Sequence, residues 1–130
     1  MSLEELVRIA KESQTKRSRF LVHRNHSEQP QIMIIYLERG SVVGRHRHPT
    51  EKTELYLVLE GRLSVEYLEN GGVETQSRVL APWGNPEGLP SISVHRDSVW
   101  HEPKALSEYV LYLEVYSGPF EKTQDVEYLV

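Results

Sequence analysis

From about residue 19 onward the chain is a succession of short apolar runs cut apart by turn residues, with no helical periodicity between them. This pattern constrains the fold more than any other feature. Strands without crossover helices pair antiparallel, and they bury a face only by stacking or by closing into a barrel. Ile32 to Leu37 is apolar and β-branched between Pro30 and Gly40. Leu55 to Leu59 is a second such run, after which Glu60-Gly61-Arg62 is expected to turn the chain into Leu63 to Leu68. Asn70-Gly71-Gly72 reads as a hairpin turn, with Val73 to Leu80 returning as the partner strand. Pro82, Gly84, Pro86, Gly88 and Pro90 make residues 81–90 a loop. Strands resume near Ile92, and the longest late one, Tyr109 to Tyr116, ends at Gly118-Pro119. Several runs are apolar on both faces, so a helix or a second copy of the chain is expected to cover the outer surface.

Only the N-terminus reads as helix. Leu3, Leu6, Val7 and Ala10 share one face, and Ser2 with Glu5 forms a capping box. The basic cluster Lys16-Arg17-Ser18-Arg19 reads as a solvated linker. No repeat or low-complexity tract interrupts the pattern, so residues 1–130 read as one domain.

Composition removes whole classes of function. Lys plus Arg is 15 and Asp plus Glu is 19, a formal net charge of -4, which disfavours a role on nucleic acid. No apolar run is long enough to span a bilayer, and the acidic, amphipathic start is unlike a signal peptide, so the expected setting is cytoplasmic. The absence of cysteine excludes disulfides, thiolate metal sites and cysteine nucleophiles together.

The chemistry that remains lies in the histidines. His46-Arg47-His48 on a strand would project both imidazoles to one side, within reach of one ion. Glu54 heads the next apolar run, where a carboxylate would need a partner such as a metal cation. His101, beside Trp100 after the long loop, is the natural distant ligand. Spacing alone leaves plainer readings open: a solvent-facing or hydrogen-bonded histidine pair, a hydrated Glu54, a packed His101. His23 and His26 read as structural, and His95 is ambiguous. On strict alternation Arg45 and Arg47 point away from the ligands, toward a rim or a subunit contact.

The sequence Gly40, His46, His48, Glu54, Gly61 resembles the first cupin motif, with one extra residue between His48 and Glu54. Glu51 would shorten that gap, but Glu54 keeps the six-residue step to Gly61. The second cupin motif is matched at His101, with Arg96 and Ser98 standing where Pro and Gly are usual. Further markers resemble the WbuC-type cupin metalloproteins. They are Leu37-Glu38-Arg39-Gly40, Arg45-His46-Arg47-His48-Pro49, Leu57-Val58-Leu59-Glu60-Gly61-Arg62-Leu63, Trp100-His101 and Glu114-Val115 with Gly118-Pro119-Phe120. This resemblance implies an all-β fold, the cupin double-stranded β-helix or jelly-roll barrel, with a short N-terminal helix. It implies one divalent transition metal (Fe, Mn, Ni, Cu or Zn) held by His46, His48, Glu54 and His101. It also implies a setting in bacterial surface-polysaccharide metabolism.

The expected function is therefore metal-dependent chemistry on a small polar, carbohydrate-related molecule. The alternative is a metal-dependent module that binds or senses a small molecule without turnover. Tyr112 and Glu114 share a polar-aromatic face that could line the pocket or face solvent. A homodimer is expected, with no nucleic-acid or membrane partner.

Overall fold

The computed structural model describes residues 1–69 and 74–129. Helix α1 (Leu3–Glu12) starts where its sequence places it. The Ser2 side chain accepts from the Glu5 backbone N–H at 3.2 Å, and the Glu5 carboxylate accepts from the Ser2 N–H at 2.8 Å. Leu6 and Ala10 are the buried positions of its apolar face. A Ser2→Ala change is expected to cost about 1 kcal/mol, the worth of a side-chain cap, read as a shifted denaturant midpoint at unchanged slope.

Eight strands follow: β1 (Arg17–Leu21), β2 (Gln31–Glu38), β3 (His46–Arg47), β4 (Glu54–Glu69), β5 (Glu74–Leu80), β6 (Ile92–His95), β7 (Trp100–Tyr116) and β8 (Glu127–Tyr128). A four-residue helix α2 (Lys122–Asp125) precedes β8. All pairings are antiparallel, in the order β1-β2-β7-β3-β8, with β4 beside β5, β6 and β7. The jelly-roll expectation is met. Residues 81–91 carry no strand, as their prolines and glycines require. The Asn70-Gly71-Gly72 turn and Val73 lie outside the described residues, but the flanking strands pair from Leu63↔Leu80 to Glu69↔Glu74. Among the described residues, no helix is long and apolar enough to cross a membrane.

Three expectations change. Glu60-Gly61-Arg62 does not turn the chain: β4 runs through it, with register shifts between Val58 and Glu60 and between Gly61 and Leu63. The buried side chains of the barrel core in β4 are Tyr56 and Val58, in line with Glu54, before the irregularity and Leu63 and Val65 after it, while Ser64 and Leu68 are buried on the other face. Extra residues in one strand shift its facing by one and bend it, so one long strand serves both sides of the barrel. Strand β7 is likewise longer than Tyr109 to Tyr116, and its buried set passes from His101, Glu102 and Pro103 to Val110, Tyr112 and Tyr116. The basic cluster is not a linker. Arg17 and Arg19 belong to β1, because Ser18 and Phe20 alternate with them and face α1: Ser18 Oγ donates to Leu6 O at 2.6 Å, and Phe20 packs with Leu6 and Ala10.

The same alternation separates two apolar layers. Leu6, Ala10 and Tyr36, with Val7, Phe20, Ile34, Tyr109 and Leu111, seal the outer face beneath α1. Leu37, Tyr56, Val58, Leu63, Val65, Leu80, Val110 and Tyr112 fill the barrel. Strands apolar on both faces thus find their cover in the helix on this side.

Candidate metal centre

His46 pairs in register with His101, and Glu54 opposes His95 on one side and Tyr116 on the other. With His48, just past β3, the candidate ligands come from β3, the start of β4 and the start of the distant β7. His46, His48, Glu54 and His101 are all buried and offer donor atoms within 4.8 Å of one another. His101 Nε2 lies 2.8 Å from Glu54 Oε1, and His48 Nε2 lies 3.1 Å from Glu54 Oε2. Arg47 points outward as its parity demands, with Nε 2.9 Å from Glu127 and its guanidinium 4.4 Å from the Trp100 ring centre. Arg45 sits 3.8 Å from Glu66.

The tautomers follow from the other ring nitrogen. Nδ1 of His46 faces Gly44 O at 2.9 Å, that of His48 faces Asp125 O at 2.7 Å, and that of His101 faces Val99 O at 3.0 Å. A carbonyl oxygen only accepts, so each Nδ1 carries the proton and a neutral ring keeps its lone pair on Nε2. Lone pairs then converge on a carboxylate that also only accepts. His48 Nε2 is buried and, despite its 3.1 Å approach to Glu54, makes no hydrogen bond of acceptable geometry. Such an arrangement is unfavourable unless a cation or added protons lie among the donors. Three imidazoles backed by carbonyls plus one carboxylate fit a divalent first-row transition metal, and the backing bonds are the usual means of orienting such ligands.

Burial and the ligands' mutual charges set the protonation states. Burial pushes His46 down to about 4, and His101 adds to the effect. Burial also lowers His48, but Glu54 more than compensates and raises it. Glu54 is opposed by burial, yet contacts from His101, His48 and His95 hold it well below the usual carboxylate range. A histidine whose folded pKa is depressed stabilises the fold above its unfolded value of 6.5 and loses that contribution as pH falls toward 4. Metal-free protein is therefore expected to lose on the order of 2 kcal/mol between pH 7 and pH 4.5, part of the His46 loss being offset by His48. Denaturant melts across that range check it; a fold that gained stability on acidification would contradict it.

Two parts of the site had no clear sequence signal. His95, ambiguous in the sequence, is buried with Nδ1 3.1 Å from Glu54 Oε1 and Nε2 2.8 Å from Ser93 Oγ, and its ring stacks on His101 at 4.2 Å. Its spacing to Ser93 was the available hint, since residues two apart on a strand share a face. The C-terminal segment is the other. Asp125 is buried, its Oδ2 accepts from the Glu121 N–H at 2.7 Å, Tyr116 donates to its Oδ1, and Lys52 lies 3.6 Å away. This fixes the carbonyl that orients His48. Nothing periodic marks so short a helix in sequence.

The face carrying Tyr112 and Glu114 points inward. Glu114 opposes Tyr56 in β4 and Met33 in β2. Tyr112 is buried among the core side chains, 5.0 Å from the Tyr56 ring. Burial, reinforced by Glu54, pushes the Glu114 carboxyl well above its usual range, against the pull of Arg19 and Arg17.

Residues 1–80 match the profile of a protein family described as a domain of unknown function, DUF6016. The chain belongs to that family. No curated protein matches the sequence. Among solved structures the chain is similar to protein SO0799 from Shewanella oneidensis, at 12% identity and TM-score 0.73, over 99% of this chain and 85% of that one. It is similar to oxalate oxidase in complex with the substrate analogue glycolate, at 14% identity and TM-score 0.67, over 91% of this chain but 57% of that one. It is also similar to KdgF from Halomonas sp., at 20% identity and TM-score 0.59, over 82% of each. At these identities the likeness is one of fold, and that fold is the cupin jelly roll. The buried cluster of a DUF6016 chain in this fold points to a transition metal.

Proposed function

We propose that His46, His48, Glu54 and His101 hold one divalent first-row metal, and that this centre acts on a small polar, carbohydrate-related molecule. The observation that carries the metal is the set of three Nδ1–carbonyl contacts, which leaves three Nε2 lone pairs in one buried cluster with a carboxylate. A metal there would supply Lewis acidity toward a bound oxygen. The chain's own residues do the rest. Glu54 carries the charge that balances the cation, and His95 fixes its orientation. Glu114, whose carboxyl burial and Glu54 push up, is the group that would donate a hydrogen bond to a bound ligand when protonated, on the strand face it shares with Tyr112. The carbohydrate-related substrate, and a place in surface-polysaccharide metabolism, are supported by the WbuC-type sequence markers.

The second reading is a binding or sensing module without turnover. It is favoured by the burial of all four donor residues and by the C-terminal segment, whose Tyr128 ring lies 5.8 Å from that of His46. A screen of metal-loaded and metal-stripped protein against sugars, sugar nucleotides and small carboxylates tests both. Saturable, metal-dependent binding with turnover of a sugar or sugar nucleotide supports the enzyme. The same binding without turnover supports the sensor. Sugar or sugar-nucleotide binding that survives metal removal contradicts both.

We further infer one cytoplasmic domain acting as a homodimer. Large apolar side chains remain exposed, Trp83 at 90% and Val42 at 72%, as an assembling surface would have them. Light scattering that reported a monomer across micromolar concentrations would refute the dimer.

A further inference from the structure

A second polar feature lies beside the centre. Tyr67, Gln76, Ser77, Arg78 and Val94 line a cavity of about 180 Å³. That is below the roughly 300–1,000 Å³ of sites for drug-sized ligands, so an occupant has few atoms. Register explains the lining. Tyr67 opposes Gln76 and Val65 opposes Arg78, and directly opposed residues share a face. Gln76 and Arg78 therefore share the face of Tyr67 and Val65, and both are exposed where β5 pairs with β4 alone, so the cavity opens to solvent.

The charge of the cavity is one-sided. Among the described residues Arg78 is its single cationic side chain, and no carboxylate of those residues lines it. The guanidinium lies 6.0 Å from the Tyr67 ring centre, and among the described residues it has no carboxylate partner. A guanidinium presents paired N–H donors matched to a planar carboxylate, and the Gln76 amide lies on the same face of β5.

Tyr67 also connects this cavity to the centre. Its hydroxyl contacts Ser93 Oγ, Ser93 Oγ lies 2.8 Å from His95 Nε2, and His95 Nδ1 lies 3.1 Å from Glu54 Oε1. The directions are consistent along the whole path. Glu54 accepts from His95 Nδ1–H, so neutral His95 accepts at Nε2 from Ser93, which accepts in turn from Tyr67. Ser93 and His95 are buried, so neither has bulk water as a substitute partner.

We propose that this cavity is a binding site for a small carboxylate, held by Arg78 with Gln76, and that its occupancy is transmitted through Tyr67, Ser93 and His95 to the orientation of Glu54. The second half rests on the metal centre proposed above; the first does not. The site would make the centre responsive to a carboxylate, either the acidic end of the substrate or a separate effector.

The test has two arms. In the first, acetate, malonate and inorganic phosphate are titrated into metal-free protein by NMR and calorimetry. Saturable malonate or acetate binding is expected, weakened roughly ten- to a hundredfold by Arg78→Gln, the loss of charge-assisted hydrogen bonds. No binding at tens of millimolar, binding unchanged by Arg78→Gln, or a preference for phosphate would overturn the carboxylate site. In the second, Co(II)-loaded protein is titrated with malonate while its visible absorption is followed. Wild type is expected to show a shift that saturates with the carboxylate. Tyr67→Phe and Ser93→Ala, each checked for an unchanged circular dichroism spectrum, should bind malonate but lose the shift. A shift retained in both variants, or absent from wild type that has bound malonate, would overturn the coupling. Failure of wild type to take up Co(II) or any other first-row divalent metal would refute the metal centre and with it the coupling; the carboxylate site would then stand or fall on the first arm alone.

Discussion

His101→Ala is expected to lower the affinity for divalent first-row metals by at least about a hundredfold, the upper end of what losing a mere supporting contact costs. His101 is fully buried, its ring is held by Val99 O, and its Nε2 lies 2.8 Å from Glu54. Removing it leaves a void where a donor stood and takes one partner from a buried carboxylate. The loss should also appear in stability. Metal that binds only the folded chain adds about 2.7 kcal/mol at a hundred times its Kd, so wild type should gain thermal stability with metal and the variant should not. His95→Ala should fall between, with metal binding weakened roughly ten- to a hundredfold, because His95 orients Glu54 from 3.1 Å. Arg47→Ala is the control: Arg47 lies in the same strand but turns to Glu127 and Trp100, and its loss should leave metal binding unchanged. Competition titrations with a chelator read all three variants. Equal affinity in His101→Ala and wild type would contradict the assignment.

The second large effect is expected at Gly61. It adopts φ +84° at the irregularity of β4, and a Cβ there would lie 2.4 Å from Tyr109 O and 2.7 Å from Ser107 Oγ. The carbonyl is backbone in β7 and cannot swing aside. Ser107 Oγ is itself engaged, accepting from the Arg62 N–H at 2.9 Å. Gly61→Ala should therefore cost about 3 kcal/mol or more, strain and overpacking together, and lower Tm by roughly 10 °C. Gly84→Ala separates the two contributions. Gly84 has φ +77° but nothing within 4 Å of an added Cβ, so it should show only the smaller cost of backbone strain. Similar losses at both positions would show that the close approach of β7 to Gly61 contributes nothing.

Gly61 also shows where sequence reading succeeds and where it stops. Its place beyond a six-residue gap from Glu54 marked the motif, and that spacing correctly singled out a constrained position. The local residues Glu60-Gly61-Arg62 looked like a turn, however, because glycine permits positive φ in turns and in bulged strands alike. Only the pairing with β7 distinguishes them, and β7 lies some 40 residues further on. The histidine pair was legible for a simpler reason: period-2 alternation is local, and a two-residue strand suffices to express it. Glu54 and His101 were legible through the motif. His95 was not, since its role depends on β6 lying beside the first residues of β4. Arg17 and Arg19 misled because charged residues at an edge strand look like linker until Ser18 and Phe20 are seen against α1. The carbonyl of Asp125 could not be found at all, because a backbone acceptor has no sequence signature.

The central claim is that the converging imidazoles and carboxylate hold a metal. Elemental analysis of protein purified without added metal or chelator, combined with X-ray absorption at the edge of the element found, tests it most directly. The account predicts about one first-row divalent metal per chain with nitrogen and oxygen neighbours that include imidazole scattering. Protein that is metal-free as purified, and that takes up none of Fe, Mn, Co, Ni, Cu or Zn at neutral pH while remaining folded, would contradict it.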